Sequence, residues 1–192
     1  MAFKRMVIDG YGQLELNNVA FRRDGRVEAQ CALDATDFAD VPAENGMLLA
    51  VDRTARTVRF CEADEELPIA LNYTTEHMYD ERANALKDFA LERGTFLPRL
   101  GYLSVGELFT TNCVGYDQGS GSGQYADDEA LIAKLEKIGA ATNPAVIYGG
   151  ISEEGAIKLS ETAPTVGPVL LAVEYTTMPD NTPGIKFQVV SA

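Results

Sequence analysis

The chain has a single histidine, His77, in the run TTEHMYDE with Glu76 and Asp80 close by. Any Ser-His-Asp, Cys-His or multi-histidine metal chemistry would have to use that one imidazole. Its setting, between a predicted strand and a predicted helix, suits a capping or surface histidine. The tract YDQGSGSGQYADDEALIAKL places Gly119, Gly121 and Gly123 directly before a helix, an arrangement that can cradle phosphate. A Walker loop needs Lys and Ser or Thr after its last glycine, whereas Gln124 and Tyr125 follow here. A dinucleotide fingerprint spaces its glycines unevenly, and these three recur every second residue. Asp127, Asp128 and Glu129 already meet the positive helix N-terminus, each contributing about 0.3–1 kcal/mol and repelling a further anion. The tract therefore reads as a flexible surface loop over 117–124.

The remaining chemical candidates are weaker. Asp64, Glu65 and Glu66 form one acidic turn and Glu153 with Glu154 another, but neither has the alternating oxygen ligands of a calcium loop. Carboxylates are so numerous that no catalytic pair stands out. Cys31, Cys61 and Cys113 are odd in number and far apart, which fits buried small hydrophobes better than a disulfide framework or a zinc site. Asn72, Tyr73 and Thr74 form a glycosylation sequon that means little without an export signal. Tyr73, Tyr79, Tyr102 and Tyr116 can make an aromatic face or simply pack in the interior. The expectation is no catalytic residue, no metal ligand and no cofactor.

The elements that would position these residues are mostly strands. Arg23 to Arg26 lie between Val19 to Phe21 and Val27 to Ala29, and Asp24-Gly25 predicts a tight hairpin. Met47 to Val51 and Thr57 to Phe60 predict a second hairpin, and Leu100 to Ser104 with Leu108 to Val114 a third, turning at Gly106. Ile69 to Tyr73 predicts a strand. Helices are predicted near 80–93, closed by Gly94, and near 127–138, where Leu131, Ile132, Leu135 and Ile138 form one apolar stripe. Strands are predicted again at Ala145 to Tyr148, Ala156 to Leu159, Val169 to Tyr175 and Ile185 to Val190, with Pro179 and Pro183 in the last turn. The expected fold is mainly β (α+β): an antiparallel barrel or sandwich built from hairpins, with two short helices. Residues 1–68 form a β-rich N-terminal part, as an arm or subdomain, and 69–192 a β-rich domain carrying both helices.

Composition narrows the function. Sixteen Lys plus Arg against 29 Asp plus Glu leave a net charge of −13, so a nucleic-acid surface would have to be built against the overall field. No run approaches the roughly 18 apolar residues of a membrane span, and the start MAFKRMVIDG lacks a secretory apolar core. Neither nucleic acid nor membrane is an expected partner.

The phrases LNYTTEHMYDERANALKDFALERG, GYLSVGELFTTNCVGYD and TTMPDNTPGIKFQVV, together covering about residues 69–190, resemble small virion structural proteins of tailed bacteriophages, of the head-decoration or capsid-cement class. The resemblance implies a β-rich, non-enzymatic protein present in many copies, bound to the major capsid protein on the outside of the shell. Packaged DNA would repel so acidic a chain from the inner wall. Val7 and Ile8, and the final strand Ile185 to Val190, are the expected edges for pairing with a partner strand.

Overall fold

A computed structural model describes residues 2–74 and 86–192. Over these residues the chain is mainly β, with two mixed sheets and one α-helix. The strands are β1 (Ala2–Arg5), β2 (Leu14–Asn18), β3 (Val27–Glu28), β4 (Ala32–Leu33), β5 (Leu48–Asp52), β6 (Thr57–Arg59), β7 (Ile69–Asn72), β8 (Leu100–Gly101), β9 (Leu108–Thr111), β10 (Val114–Gln118), β11 (Tyr148–Gly150), β12 (Ile157–Ser160), β13 (Val169–Thr177) and β14 (Pro183–Ser191). The helix α1 spans Asp128–Leu135. One sheet runs β1-β10-β12-β11-β13-β14-β9-β2 and the other β3-β8-β7-β5-β6-β4. No closed barrel forms among the described residues. Most pairs are antiparallel, but β10 with β12 and β4 with β6 run parallel, so the expected all-hairpin connectivity does not hold.

Burial follows the alternation written into the strands. In β14, Ile185, Phe187 and Val189 point inward while Lys186 and Gln188 are partly exposed, and β13 answers with Leu170 and Ala172. Each fully buried Leu, Ile or Phe contributes about 1.5–3 kcal/mol. β5 carries an unbroken apolar run from Leu48 to Val51, because both of its faces are covered there. Leu48 joins Phe109, Tyr116 and Phe187 in one core cluster, while Leu49 and Val51 join Val58, Leu100 and Cys113 in another. The six-stranded sheet thus has apolar contacts on both sides. β1 and β2 belong to the eight-stranded sheet and β3 to β6 to the other, so sheet membership crosses residue 68.

Three local expectations are corrected. The turn at Asp24-Gly25 exists, with Asp24 N–H donating to the Ala20 carbonyl and Arg26 N–H to that of Phe21, but its flanks do not pair with each other. Arg26 donates to the Tyr102 carbonyl and to Glu107 at 2.5 Å, which carries Val27 onto β8. Gly106 turns with φ +90° between β8 and β9, which lie in different sheets and form no hairpin. The expected strand Leu108 to Val114 is cut at Asn112, whose side chain accepts from Gln13 N–H at 2.6 Å; its two halves separate to opposite parts of the same sheet.

The first predicted helix is also corrected where it is described. Residues 80–85 lie outside the described residues; Leu86–Asp88 is one 3₁₀ turn, and the chain is extended at Leu91. A helix would need Leu91 N–H on the Lys87 carbonyl. Instead Lys87 accepts from Tyr11 N–H at 2.7 Å and Leu91 exchanges two 2.9 Å bonds with Ala43. The second helix forms but is shorter than the expected 127–138, spanning Asp128–Leu135: Asp127, expected in the first turn, lies outside it and caps it by accepting from Ala130 N–H at 2.8 Å, and Leu131 and Leu135, one turn apart, are fully buried.

Candidate functional site

A cleft of about 640 Å³ lies at the β1 end of the eight-stranded sheet, within the size range of small-molecule sites. Strand alternation builds its floor. Val114 and Tyr116 of β10 enter the core, so Asp117 turns to the opposite face; Ile157 and Leu159 of β12 do the same and leave Lys158 and Ser160 there. Glycines thin the floor so that other groups can lie over it. A Cβ at Gly150 would meet Pro164 at 2.8 Å, and one at Gly115 would strike the Phe3 ring. The Ser152–Glu154 turn and residues 162–166 form the walls. Ser152 is not an exposed nucleophile, since its hydroxyl donates to the Ala156 carbonyl at 2.5 Å.

Four carboxylates (Glu62, Asp117, Glu153, Glu154) line the cleft against one cation, Lys158, which lies 3.6 Å from Asp117. Glu62 is paired with Arg59 at 3.2 Å. Glu153 and Glu154 form no ion pair among the described residues. The cleft is therefore electronegative at its mouth.

β1 borders this cleft as an outermost strand, and two charged pairs hold it in place. Arg5 forms a two-pronged bond to Glu44 at 3.1 and 3.0 Å, and Glu44 also accepts from Gly12 N–H at 2.6 Å. Burial opposes the Arg5 charge, but Cys113, Glu44 and Glu154 more than offset it, so the guanidinium is held more firmly protonated than usual. On the other face Lys4 lies 3.3 Å from Asp128 in the first turn of α1, and the same carboxylate accepts from the Tyr116 hydroxyl at 2.6 Å. Burial, followed by that hydrogen bond, raises the Tyr116 pKa. In the β1·β10 ladder Met6 N–H donates to the Val114 carbonyl, directly opposite. Hydrogen-bonded pairs alternate in such a ladder, so Lys4 and Ala2 face β10 and the main-chain groups of Phe3 and Arg5 point away from the sheet. Among the described residues nothing pairs with these groups, and they form an open edge.

The residues singled out from sequence end up in different places. His77, Glu76, Tyr79 and Asp80 lie outside the described residues. The Gly119 to Gly123 tract closes a turn, with Gly121 N–H donating to the Gln124 side chain at 2.8 Å and Gly119 N–H to the Tyr125 carbonyl at 3.0 Å. Glu65 is spent on its own turn, bonded to the N–H groups of Glu62 and Leu67 and to Arg59. Asn72 is buried, donating to the Glu44 carbonyl and accepting from Thr74, so the sequon asparagine is used internally. Tyr73 stacks on Phe21 at 4.8 Å and Tyr116 meets Tyr125 edge-on, both in the core, while Tyr102 stacks under Arg53. They share no single face. All three cysteines are buried, and burial pushes the Cys61 and Cys113 thiols up to about 12. Val7 is exposed just beyond β1, but Ile185–Gln188 is held between β13 and β9 and offers no edge.

Among the described residues no three His, Cys, Asp or Glu side chains gather as a metal site, and no helix is long and apolar enough to cross a membrane. No family model, curated protein or solved structure matches the chain. The cleft itself was missed from sequence. Its floor residues come from three strands that are neighbours only because β10 and β12 pair in parallel, and the only local hint was the Glu153-Glu154 turn.

Proposed function

We propose that this chain is a non-enzymatic structural protein of a phage virion, binding the outside of the capsid lattice in many copies with the major capsid protein as its partner. The two sheets would form a sandwich-like body, and the work is linkage: binding only the assembled shell stabilises that state by mass action, and several contacts per subunit add avidity. The observation that carries the reading is the anchored open edge of β1, a strand held by Lys4–Asp128 and Arg5–Glu44 while its outer main-chain groups have no strand partner among the described residues. The charge of −13 favours an outer over a DNA-facing location. Mixing the purified protein with empty shells tests it. Saturable binding at a ratio set by the lattice is the expected result; assembly into a closed ring without shell binding would instead indicate a head-completion, connector or tail-tube protein.

A further inference from the structure

The open edge and the electronegative cleft lie side by side, and together they describe the contact the partner must make. We propose that β1 and the cleft receive an extended segment of the partner that carries lysine or arginine, adding a strand to β1 and setting a basic side chain among Asp117, Glu153 and Glu154. The proposal rests on reading the chain as a surface-binding protein and specifies the chemistry of one of its contacts.

Strand addition supplies main-chain hydrogen bonds for affinity, while alternate side chains supply specificity. Phe3 and Arg5 offer the outward main-chain groups, and every second residue of an added strand falls on the face that carries Phe3 and Asp117. A cation arriving there meets Glu153 and Glu154, which have no ion-pair partner among the described residues, and Lys158 is already engaged by Asp117. Its aliphatic stem would lie along Phe3, which also lines the cleft. A second copy of this chain is a poor occupant. Lys4 and Arg5, the cations of its own edge, are committed to Asp128 and Glu44, and two bodies of charge −13 repel.

The probe is a blocked fluorescent peptide, Thr-Lys-Val-Lys-Thr-Lys-Val, titrated with the full chain by anisotropy at low salt. It is expected to bind one to one and to weaken as salt rises to ~0.5 M. The double variant Glu153→Gln, Glu154→Gln should weaken it by about fivefold or more. Phe3→Pro, which removes an outward N–H and leaves the β10 ladder intact, should weaken it too, as should N-methylation of alternate peptide amides. Equal binding of a peptide with glutamate for lysine, binding indifferent to the double variant, or no binding would each overturn the proposal. The same variants are then tested on empty shells. Shell binding without peptide binding sinks the cleft assignment alone, whereas cleft-dependent peptide binding without shell binding keeps it and sinks the decoration reading.

Discussion

Replacing Glu44 by glutamine tests whether β1 is anchored in the way its role as an edge requires. The carboxylate accepts three hydrogen bonds, two from Arg5 and one from Gly12 N–H. Glutamine keeps the shape and one acceptor oxygen but loses the charge that faces a guanidinium whose Nε is buried without a hydrogen-bond partner among the described residues. Breaking a fully buried pair costs about 3–5 kcal/mol, and losing one hydrogen bond to a charged group about 1.5–3. The Arg5 side chain is 27% exposed, so water recovers part of the loss and about 2 kcal/mol is expected. For a chain of this length that is a drop of roughly 4–8 °C in Tm. Urea unfolding at neutral pH measures it, and the Met6 amide, bonded across the same ladder, should exchange faster. The double replacement Arg5→Met, Glu44→Gln should recover most of the stability, because no unpaired charge remains and the amide oxygen can still accept from Gly12 N–H. A loss below about 0.5 kcal/mol for Glu44→Gln would refute the anchoring.

Other perturbations probe the frame around the cleft. Gly101→Ala places a methyl 2.6 Å from the fully buried Phe21 ring and should cost about 1–3 kcal/mol by denaturant titration, partly relieved by Phe21→Leu. Asp127→Ala removes the cap of α1 and should cost about 1 kcal/mol in the same assay. At Glu65 burial is outweighed by the N–H groups of Glu62 and Leu67 and by Arg59, so its folded pKa is lowered. Its contribution is present above the ordinary carboxylate range and is lost as pH falls through that lowered value, so Glu65→Gln should flatten the acid limb of a stability-against-pH curve. Cys61 and Cys113 give the opposite limb. With folded values raised to about 12, stability should fall as pH rises from the ordinary thiol range towards that value, and Cys61→Ala should reduce that slope.

Much of the fold was legible wherever the signal was local. The β5·β6 hairpin, the helix with its acidic N-terminus and buried Leu131 and Leu135, and the long β13·β14 pair follow from alternation, helical spacing, charge at the helix end and turn residues that act within a few positions. The errors share one physical cause, since in each a main-chain group that local reasoning assigned to a neighbour is taken by a distant partner. The Lys87 carbonyl goes to Tyr11 N–H, the Leu91 main chain to Ala43, and the Arg26 carbonyl to Tyr102 N–H. Ile185–Gln188 reads like any exposed strand, and only sheet order places it inside. The cleft was illegible for the same reason, because charge and alternation show that Asp117, Lys158 and Glu153 are polar but not that they meet.

Imaging of tailed-phage particles produced together with this protein bears most directly on the proposed role. Density for the chain on the outer face of the shell, repeating with the capsid lattice, is the predicted result. Density against the packaged genome, or a particle with no such protein on its head, would contradict it.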